Sequence, residues 1–138
     1  MYGYSKKKIC ESKKTVPISY YGKSKKKVED FIFKNRKSFD FKIGVARVFN
    51  FTGKNQKRGH FVPDIIDKIK NFKQVNGINK FRDYIHITDV CRALDLIIIN
   101  RMQKPINVCS GNKINLIKIA KIANSKTARN LITFGKKR

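Results

Sequence analysis

The sequence predicts one α/β domain, because segments with helical periodicity alternate with short segments rich in β-branched residues. Helices are predicted at 20–37, 63–72, 88–102 and 114–123, strands at 42–50, 81–87 and 106–108, and polar loops or tails at 1–18, 53–60 and from 124 onward. Strands that alternate with helices pair in parallel. No repeat and no Pro/Ser-rich linker divides the 138 residues, so we expect one region rather than two.

The first two helices and the strand between them follow from periodicity and composition. In the helix at 20–37, Val28, Phe31 and Ile32 share one face and lysines occupy the opposite one, so these three are expected to pack inward. Segment 42–50 is rich in β-branched and aromatic residues, as strands are. Pro63 suits the first turn of the next helix, where its missing N–H has no partner to lose.

The second half is predicted from turn and capping residues. Asn-Gly at 76–77 marks a turn, and the alternation at 81–87 is typical of a strand. Thr88 is a candidate N-cap for the helix that follows. In that helix we expect Cys91 and Leu94 to face the core.

The charge of the chain is strongly positive, with 33 Lys and Arg against 9 Asp and Glu, a net charge of +24. Such a surface attracts nucleic acid and anionic membranes. The cations are spread over the whole chain, and aromatic residues do not alternate with them as in single-strand-binding modules. The abundance of Lys, Asn and Ile fits an AT-rich genome. We therefore expect only non-specific contact with nucleic acid, and a dedicated nucleic-acid-binding module is the alternative.

Membrane insertion and metal binding are not predicted. The sequence has no run of about 18 apolar residues and no signal peptide, so no membrane association is expected. Its three cysteines have no paired spacing, which suits a reduced cytoplasm, and Cys91 and Cys109 are expected in the core. His60 and His86 have no Cys or carboxylate partners at ligand spacing, so no metal site is expected.

The strongest chemical signal is Tyr21 with Lys25, one helical turn apart on the same face. A phenol has a pKa of about 10, and a nearby ammonium lowers that pKa by favouring the phenolate. Such a tyrosine is a general acid/base for a sugar or alcohol hydroxyl. The spacing alone is weak evidence in a Lys-rich chain, and a solvated Tyr/Lys pair is the alternative. Two other pairs share it, Tyr2 with Lys6 and Tyr4 with Lys8.

The order of motifs along the chain adds to this signal. The segments are MYG at 1–3, PISYYGKSK at 17–25, ARVFNFTG at 46–53, FVPDII at 61–66, RDYIHITDV at 82–90 and INVCSG at 106–111. In this order they resemble the extended short-chain dehydrogenase/reductase family, the NAD-dependent sugar-nucleotide epimerases and dehydratases. The resemblance covers nearly the whole chain. It implies a partial Rossmann-like parallel sheet, the C-terminal half of that fold, with part of the small substrate-binding domain.

The resemblance also implies roles for particular residues. Tyr21 would be the general acid/base, and Lys25 its partner and a donor to the ribose of NAD or NADP. Tyr20 competes for the role of Tyr21, because it stands where many relatives have Pro, but Lys25 is four residues from Tyr21 whereas Ser24 is four residues from Tyr20. Cofactor and nucleotide-sugar substrate are thus both implied by the resemblance.

Two further residues match substrate contacts in the family. Asn50 would contact the substrate from a strand end, and its alternative is a turn-forming Asn. Arg82 would bind the substrate's diphosphate through its planar fork of donors. The alternative for Arg82 is a surface arginine paired with Asp83 or Asp89.

The glycine-rich turn that holds a dinucleotide pyrophosphate is missing from the sequence. The glycines are at 3, 22, 44, 53, 59, 77, 111 and 135, and no spacing among them gives G-x-x-G-x-x-G or G-x-G-x-x-G. The resemblance implies that this half would lie before Met1. We therefore expect a truncated or split nucleotide-sugar epimerase, dehydratase or reductase that is inactive alone, with a separate N-terminal half or a homodimer as its partner. An inactive remnant of the fold is the alternative.

Overall fold

A computed structural model describes residues 2, 3, 5, 8–71, 75 and 79–126. The predicted turn at 76–77 and most of the predicted tail lie outside these residues. The helices are α1 (Tyr20–Asn35), a 3₁₀ turn (Arg36–Ser38), α2 (Phe61–Lys70), α3 (Ile87–Ile99) and α4 (Leu116–Lys126). The strands are β1 (Val45–Val48), β2 (Asn50–Thr52), β3 (Phe81–His86), β4 (Pro105–Val108) and β5 (Lys113–Asn115).

The chain divides into two compact units. The first contains the residues up to Val48 together with Asp89–Val108, and the second contains Phe49–Thr88 and the residues after Val108. In the first unit β1 and β4 pair in parallel, with Val45 opposite Pro105 at one end of the ladder.

The second unit contains a three-stranded sheet in the order β2-β3-β5. Strands β2 and β3 are parallel, and β3 and β5 are antiparallel. A buried cluster lies in this unit and joins α2 to α4: Ile65, Ile69, Val75, Leu116 and Ala120. The predicted α/β class with parallel strand pairing is confirmed.

Two strand predictions differ from the structure. The single strand predicted at 42–50 is two strands, because β1 pairs with β4 and β2 pairs with β3, so the chain changes partner at Phe49. Residues 114 and 115, predicted as the start of the last helix, belong instead to β5, and α4 begins at Leu116. Neither pairing partner is close in sequence, so local composition could not separate these strands.

The expected inward faces of two helices are wrong. In α1, Val28 and Phe31 are exposed and only Ile32 of the three predicted residues is half-buried, whereas the buried residues are Gly22 and Glu29. Glu29 is buried because its carboxylate has a cationic partner, which hydrophobic periodicity does not detect.

In α3, Cys91 and Leu94 are exposed, and Val90 and Ile97 are the buried residues. These two lie seven residues apart, which is two helical turns, so they share one face. Cys109 is half-buried.

The first turns of α1 and α3 are capped by side chains of different types, a serine and a histidine. Ser19 caps α1, since its hydroxyl accepts a hydrogen bond from the Gly22 N–H at 3.0 Å. The predicted cap Thr88 instead lies inside α3, which begins at Ile87. Its N–H donates to Nδ1 of His86 at 3.3 Å, so His86 does the capping.

Among the residues that the structure describes, no helix has the length and apolar character needed to cross a bilayer. In the same residues, no group of three or more His, Cys, Asp or Glu side chains is arranged to hold a metal ion.

Candidate functional site

Tyr21 and Lys25 lie together on an exposed face at the start of α1. Because Ser19 ends the preceding extended segment and caps the helix, Tyr21 falls in the first turn and Lys25 one turn later. The Tyr21 side chain is 72% exposed, and Lys25 Nζ lies 5.4 Å from the centroid of its ring. The structure thus brings together a phenol and an ammonium that are both accessible to a ligand.

Tyr20 has a cation of its own. Lys23 Nζ lies 5.6 Å from the Tyr20 ring centroid, and Tyr20 is 91% exposed. Ser24, which the sequence pairs with Tyr20, donates from Oγ to the Tyr21 carbonyl at 2.8 Å instead. The i, i+4 spacing does not predict the Lys23 contact, but the i, i+3 spacing of Tyr20 and Lys23 does, since residues three apart also share a helix face.

A buried ion pair fixes α1 to β1. Arg47 Nε donates to Glu29 Oε2 at 3.0 Å, and Arg47 Nη2 donates to the other carboxylate oxygen, so the pair is bidentate. The two side chains are only 10% and 9% exposed. The bond to Glu29 raises the pKa of Arg47 above its ordinary value, against the opposing effect of burial. The sequence placed Glu29 on the helix but indicated no partner for it.

Tyr2 extends this ion pair to β4. Arg47 Nη1 donates to the Tyr2 hydroxyl, which in turn donates to Asn107 Oδ1 at 2.7 Å. The Arg47 guanidinium carbon also lies 4.9 Å from the centroid of the buried Tyr2 ring. Helix α1, which carries Tyr21, is therefore held to both strands of the first unit by one connected network.

Glu11 fastens the N-terminal segment to the same strand. Its Oε1 accepts the Asn107 N–H at 2.9 Å, and its carbonyl accepts from Arg47 Nη1 at 3.2 Å. The bond from Asn107 is the main reason that the pKa of the Glu11 carboxyl lies below its ordinary value, and the charge of Arg47 adds a smaller effect. The Glu11 carboxylate is therefore stabilised in its charged form by the folded chain.

Glu11→Gln is expected to remove a pH-dependent part of the stability. A carboxyl whose pKa is lower in the folded chain than in the unfolded chain stabilises the fold at pH values above its ordinary pKa of 4.5. This stabilisation is lost as the pH falls through the pKa of the folded chain. Since Glu11 is exposed and its charge is screened by solvent, the free energy of unfolding of Glu11→Gln at pH 7 should be only about 0.5 kcal/mol below that of the unchanged chain. Chemical unfolding at a series of pH values measures it, and a difference that stays constant down to the most acidic pH would contradict the assignment.

Asn50 and Arg82 lie in the second unit, on neighbouring strands. Asn50 is the first residue of β2, opposite Tyr84 of β3, rather than a turn residue. Its Nδ2 donates to the Asp83 carbonyl at 3.3 Å. Arg82 is exposed, and its Nη1 donates to the Phe81 carbonyl at 2.9 Å. Asn50 on β2 and Arg82 on β3 are thus both next to Asp83, one through a hydrogen bond and the other in sequence.

Asp83 is engaged elsewhere and does not pair with Arg82. Its Oδ1 accepts from both the N–H and the hydroxyl of Ser110 at 2.8 Å, and its Oδ2 accepts from the Gly111 N–H at 2.9 Å. Gly111 has a φ of +75°, which glycine adopts without strain, so the turn can present both amides to one carboxylate. Asp83 was not predicted as a site residue, and only the pairing of β3 with β5 reveals what it does.

The other predicted partner of Arg82 is also occupied. Asp89 accepts from Arg92 Nη1 at 3.4 Å. Within the ranges that the structure describes, Arg82 therefore forms no ion pair, and its guanidinium is open to an anion. Tyr21 and Lys25 lie together in the first unit, and Asn50 and Arg82 lie on adjacent strands in the second unit.

Comparison with known proteins identifies one family for the whole chain. The model of the family described as GDP-mannose 4,6 dehydratase matches residues 1–138, the whole chain. A search of curated protein sequences found no match.

Solved structures share the fold at low sequence identity. dTDP-glucose 4,6-dehydratase from Bacillus anthracis in complex with NAD has a TM-score of 0.84 at 19% identity, over 98% of this chain and 46% of that one. UDP-glucuronic acid 4-epimerase from Bacillus cereus with NAD has a TM-score of 0.87 at 20% identity, over 96% and 45%. RMD from Pseudomonas aeruginosa with NADPH has a TM-score of 0.87 at 22% identity, over 99% and 50%. This chain therefore spans about half the length of these structures.

Proposed function

Since this chain belongs to the GDP-mannose 4,6 dehydratase family, among the NAD-dependent sugar-nucleotide dehydratases and epimerases of the extended short-chain dehydrogenase/reductase family, we propose that it supplies proton transfer and substrate binding to such an enzyme. The proposed reaction is epimerisation, dehydration or reduction of a nucleotide sugar with NAD or NADP. The observation that carries the proposal is the accessible Tyr21–Lys25 pair at the start of α1.

The proposed role of Tyr21 is proton transfer at a sugar hydroxyl. Its exposed phenol can donate a proton to, or accept one from, a hydroxyl that approaches the open face of α1. Lys25 supplies a positive charge beside the ring and three donors for ribose hydroxyls. The nicotinamide, when bound, supplies hydride transfer. Arg47 and Glu29 would hold α1 in place without touching the substrate.

The donor set fits one end of a dinucleotide and not the other. A phenol and an ammonium on an accessible helix face match the ribose hydroxyls of the nicotinamide end. The sequence has no glycine-rich turn for the pyrophosphate. We therefore propose that a glycine-rich half, in the same polypeptide or in a separate one, completes the cofactor site.

The first unit has apolar surface available for such a half. Helix α3 exposes Leu96, Ile98 and Ile99, and α1 exposes Val28 and Phe31. Apolar faces of this kind are usually covered by another element. This supports a partner for the first unit, and a second copy of the chain is the competing occupant.

Arg82 and Asn50 are the proposed substrate contacts. The Arg82 guanidinium is exposed and its potential carboxylate partners are engaged by other groups, which favours binding of an anion such as the diphosphate of a nucleotide sugar. Asn50 donates to the carbonyl of Asp83, the residue after Arg82. Among the described residues no other hydrogen bond of its side chain is found, so its second amide hydrogen and its side-chain oxygen can contact a sugar hydroxyl.

The experiment joins this chain to the glycine-rich half of a family member and measures conversion of nucleotide sugars with NAD or NADP. We call this protein the joined enzyme. Turnover is expected, since the added half would supply the glycine-rich turn for the cofactor pyrophosphate that this sequence does not contain. A joined enzyme that binds the cofactor and the nucleotide sugar but converts no substrate would favour the inactive remnant.

In the joined enzyme, Arg82→Ala is expected to weaken nucleotide-sugar binding by roughly ten- to a hundredfold. A charge-assisted bond to a diphosphate contributes about 1.5–3 kcal/mol. Because the diphosphate is remote from the reacting carbon, KM should rise more than kcat falls. Arg82→Lys should recover only part of the affinity, as it lacks the planar fork. Unchanged affinity in Arg82→Ala would remove Arg82 from the site.

A further inference from the structure

A cavity of about 280 Å³ lies in the first unit where α1 ends and the chain turns toward β1. Its apolar lining comes from Ile32 and Phe33 in the last turns of α1 and from Ile43 just before β1. None of the four proposed cofactor and substrate residues lines it. The cavity is therefore separate from the site proposed above.

Two aromatic side chains form one side of this cavity. The ring centroids of Phe39 and Phe41 are 5.6 Å apart, with an angle of 38° between the ring planes. Phe41 is 66% exposed, so much of its ring faces solvent. Exposed aromatic rings beside basic residues are the surfaces on which unpaired nucleic-acid bases stack.

Charged side chains line the same cavity. Arg36, Lys37 and Lys42 contribute three positive charges, and Asp40 contributes the one negative charge. None of these four takes part in an ion pair with any residue that the structure describes. Two positive charges around the cavity are thus uncompensated, and this favours an anionic ligand.

We propose that this cavity binds an unpaired nucleotide of a single-stranded nucleic acid, with its base on the Phe39–Phe41 pair and neighbouring phosphates on Arg36, Lys37 and Lys42. The volume is too small for a long segment of strand but leaves room for one base, so the flanking nucleotides run over the surface. The net charge of +24 favours a polyanion over a free mononucleotide, because cations beyond the cavity can neutralise the flanking phosphates.

The sequence contains a local form of the corresponding pattern. Segment 33–42, FKNRKSFDFK, interleaves three aromatic and four basic residues, whereas over the chain as a whole the basic residues do not alternate regularly with aromatic residues. The chain-wide distribution therefore predicts non-specific binding alone. The structure adds that Phe39, Phe41 and three of these cations surround one cavity.

The test measures binding of a fluorescent oligothymidylate of about 12 nucleotides, a usual site size for single-strand binders, by anisotropy. A salt concentration of about 0.2 M suppresses the sequence-independent charge term. Phe41→Ala is expected to weaken binding roughly five- to a hundredfold through loss of base stacking. Phe41→Tyr should bind like the unchanged chain. Phe81→Ala is the matched control, because Phe81 is 53% exposed and has Lys113 Nζ 5.3 Å from its ring centroid but does not line the cavity, and it should change binding less than about twofold.

Two further arms separate the proposal from its competitors. Lys37→Gln should weaken binding more than Lys34→Gln, since both remove one charge but only Lys37 lines the cavity. Thymidine monophosphate should compete poorly with the oligonucleotide. Equal losses in Phe41→Ala and Phe81→Ala would overturn the proposal in favour of general attraction between the basic surface and the strand. Competition by the mononucleotide at concentrations similar to the strand would overturn the single-strand assignment in favour of a free nucleotide.

Discussion

Arg47→Met is expected to lower the free energy of unfolding by about 3–5 kcal/mol, the usual cost of removing one partner from a buried ion pair. The substitution keeps an apolar chain in the space of the Arg47 stem but leaves the Glu29 carboxylate buried without its two donors. It also removes the donor to the Tyr2 hydroxyl. Urea unfolding followed by circular dichroism measures the loss, which is a large fraction of the 5–15 kcal/mol typical of a domain.

The double variant Glu29→Met/Arg47→Met tests the cause. Both charges are then absent, so most of the lost stability should return, and the double-mutant cycle should give a large coupling energy. The matched control is Asp30→Asn, which breaks the Lys26–Asp30 pair on the same helix, where the side chains are 34% and 59% exposed. That exposed pair should contribute less than about 0.5 kcal/mol. If Arg47→Met cost no more than Asp30→Asn, the ion pair would not be what holds α1 in place.

The parts of the fold set by neighbouring residues could be predicted from the sequence. The Tyr21–Lys25 pair follows from helix geometry alone, because residues four apart share a face whatever surrounds the helix. The β-branched segments that contain β1 and β4 follow from composition. The parallel pairing of strands was also predicted correctly, because a chain in which helices and strands alternate can adopt few topologies.

The parts set by distant residues could not be predicted. Glu29 is buried on α1 only because Arg47 lies opposite it, 18 positions later, and a carboxylate in a helical pattern otherwise indicates the solvent face. Likewise Asp83 meets Ser110 only because β3 and β5 pair, across 27 positions. A charged side chain carries no local signal for such a partner, so both contacts require the folded chain.

In the joined enzyme, Tyr21→Phe is expected to lower kcat by about 10²- to 10⁴-fold, the usual contribution of a positioned general acid/base. The substitution removes only the hydroxyl, and the side chain is mostly exposed, so neither folding nor nucleotide-sugar affinity should change much. The ring remains under Lys25, so the ammonium keeps its contact with the aromatic face. Steady-state rates and separately measured substrate dissociation constants distinguish loss of chemistry from loss of binding.

Tyr20→Phe is the matched control, because the structure gives the two tyrosines nearly the same surroundings. Both are exposed in the first turn of α1, and each has a lysine ammonium within 5.6 Å of its ring centroid. A general loss of polarity or solubility would therefore affect both variants alike. If Tyr21 alone transfers the proton, Tyr21→Phe should lower kcat by about 10²- to 10⁴-fold, whereas Tyr20→Phe should lower it by less than about threefold. Equal losses would show that the proton is not transferred by Tyr21 in particular, and a loss confined to Tyr20→Phe would move the assignment by one residue, to the tyrosine paired with Lys23.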